Sequence, residues 1–333
     1  METHLKVVRQ LADGKLHSGE ALAQALGISR AAVWKAVQKA SEALDLEVRR
    51  VRGRGYCLVA PLELLDPERV LAAIPDQARH RIKHLEVYED IDSTNSHLMR
   101  AADKGSPSGT LCLAERQSAG RGRRGRTWVS PFGANLYLSL LWRYPFGPAG
   151  LGGLSLAVGA AVASMLQAEG VSDVALKWPN DVLWQRRKLA GLLLEVVGEA
   201  EGPSLVVVGL GLNTHMDTNQ AAAVDQPWVD LASIPGLAAT SRNRLAAGLA
   251  EHLTGVMERY GTHGLGPFLA QWERFDLYRG ERVEIRVGGQ IYAGIHAGVT
   301  PQGGLRLEMG RDVRTFEAGE VSLRPADGER AIA

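Results

Sequence analysis

Hydrophobic positions along the chain fall into three successive regimes. At the N-terminus the spacing is helical. Leu5, Val7, Val8 and Leu11 mark a first helix that ends at Asp13-Gly14, and Ser18 is placed to N-cap a second carrying Leu22, Ala25 and Leu26. Gly27 stops it, and Ser29 caps a third helix with Ala32, Val33, Ala36 and Val37 facing inward. Two short strands, Leu46–Val51 and Tyr56–Val59, then flank the turn Arg52-Gly53-Arg54-Gly55. Helix, glycine turn, helix and a two-stranded wing predict a winged helix-turn-helix.

The middle of the chain alternates. A connector runs from Pro61 to Pro75 with one short helix, Pro67–Ala73. Strands are expected at Leu85–Glu89, Thr110–Glu115, Asn135–Trp142, Val174–Trp178, Val182–Trp184, Leu189–Val196 and Ser204–Leu210. Helices are expected at Asn95–Lys104 and Leu151–Ala168 between them, and at Ser233–Gly261 and Leu265–Phe275 after them. Strands mostly adjacent in sequence, with helices inserted, predict a mixed α+β sheet with helices on one side. No G-x-G-x-x-G joins a strand to a helix, which excludes the doubly wound dinucleotide fold. From Arg282 onward short alternating strands (Val283–Val287, Ile291–Val299, Leu305–Met309, Val313–Phe316 and Val321–Leu323) with Gly-Gly turns predict a small SH3-like barrel.

Composition changes this picture little. The 333 residues are 45% hydrophobic and 23% charged with a net charge of +1, as in an ordinary soluble multidomain protein. Charge is unevenly spread: residues 1–60 hold ten Lys/Arg against six Asp/Glu, an excess suited to a nucleic-acid module. Cys57 and Cys112 lie in apolar runs without metal spacing, as buried thiols of a reducing cytosol would. Tyr144 to Ala168 contains no charged residue, but Pro145, Pro148 and five glycines interrupt it. A buried helix, not a membrane span, is expected, in a cytoplasmic protein with no membrane partner.

Chemistry concentrates in Gly120-Arg121-Gly122-Arg123-Arg124-Gly125-Arg126, where four guanidinium groups alternate with glycine. Glycine lets a ligand approach the backbone, and arginine matches phosphate and carboxylate oxygens. Taken alone, the run reads equally as a solvated basic loop, a nucleic-acid patch or an anion pocket.

Its companions decide. Asp92-Ser93-Thr94-Asn95, the arginine loop, Lys177-Trp178-Pro179-Asn180-Asp181, Arg187-Lys188-Leu189-Ala190-Gly191 and Gly209-Leu210-Gly211-Leu212-Asn213 follow one another in the order and spacing of the biotin–protein ligase signature. With the N-terminal winged helix, the chain resembles the bifunctional bacterial biotin–protein ligase and biotin operon repressor family from about residue 5 to 324. That resemblance implies a winged helix at 1–62, a class II synthetase-like catalytic domain at 63–275 and an SH3-like barrel at 276–333. It implies two steps: biotin and ATP give biotinyl-5′-adenylate and pyrophosphate, then the biotinyl group passes to a lysine of the biotin carboxyl carrier protein of acetyl-CoA carboxylase. The adenylate would also be the corepressor, favouring a homodimer on the operator DNA of biotin biosynthesis genes.

By the same resemblance, Ser93, Thr94, Asn95, Gln117, Arg121, Gly122, Arg123 and Lys188 would bind biotin, with Arg121, Arg123 and Lys188 catalytic. Arg123, Trp128, Lys177, Asn180, Asn213 and Trp228 would meet ATP or adenylate, and Asn180 with Asp181 would hold Mg2+. Residues Asn213–Trp228 would form a loop ordered over the adenylate. Ser29, Arg30, Ala31, Trp34, Lys35 and Lys39 on the third helix, with Arg52 and Arg54 at the wing tip, would face DNA. Blander readings stand beside these: helix capping for Ser93 and Thr94, core packing for either tryptophan, a solvated hairpin lysine for Lys188, and protein contacts for the winged module. Two other functions remain open at this level, a ligase without a DNA-binding role and a ligand-sensing regulator without catalysis.

Overall fold

The structure, a computed structural model, describes residues 2–216, 220–317 and 322–325. Helices α1 (Thr3–Leu11), α2 (Gly19–Leu26) and α3 (Arg30–Leu44) are followed by the wing strands β1 (Val48–Val51) and β2 (Gly55–Leu58), paired antiparallel. The caps are those the sequence marks: Ser18 and Ser29 side chains accept from the Ala21 and Ala32 amides, and Gly27 is left-handed. The core of this unit, built on Val7, Leu11, Val33 and Val37, is closed by Phe132, a residue from the far side of the arginine loop.

The connector packs into the core of the central unit. Helix α4 (Pro67–Ala73) and the unforeseen α5 (Asp76–Arg79) bury Val70, Ile74 and Ala78 in the central core together with Leu65. Polar groups pin its start. Glu63 accepts from Ser241 Oγ, the Arg242 amide and Asn243 Nδ2 at 2.6–2.9 Å. Glu115 takes the Leu65 amide and forms a buried ion pair with Arg242 at 2.8 Å.

The central sheet comprises β3 (His84–Tyr88), β4 (Thr110–Ala114), β5 (Leu136–Tyr144), β6 (Val174–Lys177), β7 (Asp181–Trp184), β8 (Arg187–Gly198) and β9 (Ser204–Leu212). Their order is β3-β4-β5-β9-β8-β7-β6, with β3–β4 parallel and the other pairs antiparallel. Helices α7 (Leu154–Ala168), α8 (Arg242–His263) and α9 (Gly266–Phe275) cover one face. The expectation of helices on one side alone needs correction: α6 (Thr94–Asp103) lies on the opposite face, where Leu98 packs on Cys112, Leu141 and Val207. A second correction concerns α8, expected from Ser233. Pro235 and left-handed Gly236 prevent a helix there, and the chain enters α8 only at Ser241, whose hydroxyl accepts from the Arg244 amide.

The apolar stretch Pro148–Ala168 has the length and composition to cross a membrane, yet most of it is buried inside the fold against α8, α9 and the sheet. Both cysteines are buried and free.

The C-terminal strands β10 (Arg282–Val287), β11 (Gln290–Val299), β12 (Leu305–Met309), β13 (Asp312–Phe316) and β14 (Ser322–Pro325) form an antiparallel sheet ordered β13-β12-β11-β10-β14. The expected strand at Val321–Leu323 is β14, Val321 itself lying outside the described residues. Valine, isoleucine and leucine side chains of this sheet join the same core as the central one. The Trp178 indole donates to Gly303 O at 3.0 Å across that seam, beside a cis Trp178–Pro179 bond.

Candidate active site and DNA-facing surface

Two adjoining cavities open on the central sheet, one of about 350 Å3 and one of about 50 Å3. They share Gly122, Arg123, Trp128, Asn180 and Lys188, so five of the expected residues stand at their junction.

The small cavity is a polar slot. Ser93 caps α6, its hydroxyl 3.4 Å from the Ser96 amide, and still lines the slot, so capping and ligand contact are not exclusive. Thr94 donates to Gln117 Oε1 through its amide (2.9 Å) and hydroxyl (3.1 Å), and Gln117 Nε2 donates to Ser130 Oγ. Ser139 on β5 lies 2.7 Å from Thr94 Oγ1 and 2.6 Å from Asn95 Oδ1, a single hydroxyl shared between two acceptors. The Asn95 amide nitrogen donates to Glu195 Oε2 at 2.8 Å, and both oxygens of that carboxylate accept from Arg121 Nη2. Arg121 therefore ties its loop to the sheet through Glu195.

Glycine makes the floor. A Cβ at Gly209 would stand 2.2 Å from Asn95 Oδ1, and one at Gly211 would stand 2.3 Å from the Trp128 ring. Trp128 thus lies against the strand backbone, its indole nitrogen buried without a hydrogen-bond partner.

The arginine loop closes on itself through Gly122 N to Arg126 O (2.7 Å) and Trp128 N to Gly120 O (2.9 Å), with Arg124 left-handed. Arg123 turns inward and donates to Asn180 Oδ1 at 3.0 Å. Burial holds its guanidinium below the ordinary value, Asp181 opposing that shift.

Lys188 is the centre of the arrangement. Its Nζ sits 2.7 Å from Asp181 Oδ1 and 5.3 Å from the centre of the Trp128 ring. Burial alone would raise the Asp181 carboxyl; Lys188, Lys177 and Arg123 outweigh it and hold the group below the usual carboxylate range. The Lys188 backbone also grips the following loop, donating to Pro227 O and accepting from the Val229 amide.

The large cavity takes Lys177, Trp228, Asp225 and Gln226 in its wall, with Leu323 from the C-terminal sheet. Asn213 lines it, but its amide nitrogen is spent on Lys188 O and Val229 O, which makes it a clasp for the 213–229 loop. Of the loop expected at Asn213–Trp228, residues 217–219 lie outside the described residues.

The pair expected to hold Mg2+ is engaged elsewhere. Asn180 Oδ1 accepts from Arg123, its nitrogen donates to Leu192 O, and Asp181 is paired with Lys188. Among the described residues no cluster of three or more His, Cys, Asp or Glu is arranged for a metal. The Asn180 and Asp181 side chains are thus occupied by protein partners, and the cations Lys188, Lys177 and Arg123 around Asp181 favour an anionic ligand at this point.

Ser139, Glu195, Gly209 and Gly211 were not singled out as ligand residues by the sequence. Ser139 carried a signal in its interruption of Leu136-Tyr137-Leu138 and Leu140-Leu141.

On the winged unit, Ser29, Arg30, Ala31, Trp34, Lys35 and Lys39 lie exposed at the start and along one side of α3, and Arg52 and Arg54 are exposed at the wing tip. Lys39 pairs with Glu2 at 2.5 Å, leaving it a less available cation than expected. Arg50, which the sequence did not single out, stacks 5.9 Å above Trp34.

Residues 87–213 match the biotin/lipoate A/B protein ligase family, residues 3–57 an HTH domain and residues 279–324 the biotin protein ligase C-terminal domain. The chain is 40% identical to the bifunctional ligase/repressor BirA of Escherichia coli over 97% of its own length and 98% of the relative's. It is 37% identical to the biotin–[acetyl-CoA-carboxylase] ligase of Mycobacterium tuberculosis, covering 72% of this chain and 88% of that one. The Aquifex aeolicus biotin protein ligase, solved with biotin and ATP, superposes with a TM-score of 0.61 at 26% identity, over 74% of this chain and all of that one. With the cation-lined double cavity, the winged helix and the C-terminal sheet in one polypeptide, the chain belongs to the biotin–protein ligase family, among its bifunctional ligase/repressors.

Proposed function

We propose that this protein is an ATP-dependent biotin–protein ligase and a repressor of biotin biosynthesis genes, working in the cytoplasm. The observation that carries the enzymatic reading is the position of Lys188 Nζ at the junction of the two cavities, held by Asp181 and covered by Trp128. The small polar slot suits the ureido and ring end of biotin, with Ser93, Thr94, Gln117 and the backbone at Gly122 as hydrogen-bonding groups. The large cavity suits ATP, and the Aquifex aeolicus relative was solved in complex with biotin and ATP.

In the first step a carboxylate oxygen of biotin attacks the α-phosphorus of ATP and the bond to pyrophosphate breaks. Arg123, Lys177 and Lys188 are the cations that would offset charge on the reacting oxygens. In the second step the neutral amine of the carrier lysine attacks the acyl carbon, the acyl–phosphate bond breaks, AMP leaves and the amine loses a proton. Lys188 would polarise the carbonyl at that stage. Magnesium, which would come with the triphosphate and neutralise charge on it, would be approached from the protein by Asn180 and Asp181. Closing the loop Asn213–Trp228 over the adenylate would exclude water from the anhydride.

The second half of the proposal is that α3 and the wing meet operator DNA. Adenylate binding would favour a homodimer presenting two winged helices to a palindromic site.

Biotin-dependent exchange of labelled pyrophosphate into ATP tests the enzymatic half. Exchange with biotin and not with lipoate or octanoate is the expected result. Exchange independent of biotin, or its absence, would overturn the assignment.

A further inference from the structure

Away from both cavities, one pair of ionisable side chains is sealed in the seam between the central and C-terminal sheets. His296 on β11 and Asp276, just beyond α9, are 0% and 1% exposed, with Nε2 2.9 Å from Oδ2. The other ring nitrogen, Nδ1, accepts the Gly298 amide at 3.1 Å, which places the ring proton on Nε2, facing the carboxylate. Their approach lies off the axis of an ideal hydrogen bond, and among the described residues neither atom has another partner. Asp276 Oδ1 accepts the Tyr278 amide at 3.3 Å, so Nε2 and Oδ2 are the two atoms of the pair whose burial is offset by each other alone.

What the pair joins gives it a consequence. Asp276 bridges Leu176 in parallel register, and the Leu277 amide donates to Leu176 O at 3.0 Å. Leu176 directly precedes Lys177, which lines the large cavity. On the other side, the backbone of His296 exchanges hydrogen bonds with Gly280 and Glu281 at 2.8–2.9 Å, holding the turn that carries Tyr278. The Tyr278 ring lies 6.0 Å from Lys177 Nζ. An apolar pair would join the two segments at lower desolvation cost, whereas here a shift of one against the other would take the Asp276 oxygen away from its 2.9 Å neighbour and leave both groups buried alone.

We propose that Asp276 and His296 are positioning residues for nucleotide binding, fixing the strand that carries Lys177 against the C-terminal sheet. The proposal rests on the assignment of the large cavity to ATP, and the pair itself touches no substrate.

The test uses the full-length protein in pyrophosphate exchange at saturating biotin, with biotin affinity measured separately by calorimetry without ATP. His296→Leu, which can neither donate nor accept, is expected to raise KM for ATP about tenfold or more while biotin affinity stays within about twofold. His296→Gln, which retains a donor and an acceptor, should bring KM for ATP back to within about threefold of the parent. Should His296→Leu not fold, Asp276→Asn decides in the same assay, with the same direction expected. An unchanged KM for ATP, or ATP and biotin binding weakened in parallel, would overturn the proposal. Lys177→Ala separates the two layers of the argument. If it leaves KM for ATP unchanged, the cavity assignment falls and this proposal with it; if it raises KM while His296→Leu does not, only the positioning role falls.

Discussion

Lys188 and Asp181 meet at 2.7 Å with only 16% and 17% of their side chains exposed, where the two cavities join. A pair so placed is sensitive from either end, but differently. Lys188→Ala removes the cation that faces the reacting groups, and kcat for adenylation should fall by about 10²–10³. Asp181→Asn keeps the cation and loosens its position, so a smaller fall in kcat is expected. Single-turnover measurement of adenylate formation separates the two, and a wild-type rate for Lys188→Ala would remove that lysine from the reaction.

The glycine floor makes a second prediction. Asn95 is held by Ser139, Glu195 and Leu193 O, so it has little freedom to yield to a methyl group at Gly209. Gly209→Ala should cost about 1–3 kcal/mol of biotin binding, the range for an overpacked site, while ATP binding changes less. Calorimetric titration with each ligand gives the answer; equal losses for both would point to a general loosening of the sheet.

These two sites show what the sequence could and could not reveal. The caps at Ser18, Ser29 and Ser93, and the strand that delivers the arginine loop, rest on neighbours within a few residues, where pattern is informative. The polar slot is assembled across the sheet. Ser139 meets Asn95 from 44 positions away, and Glu195 meets Arg121 from 74 away. Their adjacency follows from the strand order β4-β5-β9-β8, which no local period encodes. The false start of α8 has the opposite origin: Ala, Leu and Ser around 231–241 read as helical, but the local Pro235-Gly236 pair breaks any helix there.

Glu63 supplies a pH prediction. Burial would raise its carboxyl, but Asn243, Ser241, the Arg242 amide and Arg69 outweigh that and hold it below its ordinary value of 4.5. A carboxyl lowered in the folded state contributes stability above the unfolded value, and that contribution is lost as pH falls through the folded one. Glu63→Gln should therefore be destabilised by about 1 kcal/mol near neutrality, where the charged acceptor is strongest. In thermal unfolding followed from pH 7 downward, the two proteins should converge below the ordinary value of 4.5. A gap that stays constant to the lowest pH would contradict the assignment.

On the winged unit, Arg52 and Arg54 at the wing tip are expected to contact phosphate. Replacing either with Ala should weaken operator binding about equally across sequence variants and reduce the slope of log K against log salt by about one. Trp34→Ala, on the helix face beneath Arg50, should alter the preference among variants instead. Fluorescence anisotropy over a salt series, with adenylate present, distinguishes the two patterns. No dependence on sequence or adenylate would favour a module with no operator role.

Phe132 closes the interior of the winged unit from a position four residues beyond Trp128 and two beyond Ser130, the hydroxyl that holds Gln117. The boundary between gene regulation and catalysis is therefore not a clean cut in the chain. A lineage that discarded its first sixty residues would strip the cover from an aromatic ring anchored to its own arginine loop, and one that acquired them would have to supply that ring. Heredity can shuffle the two activities only by re-fitting this joint.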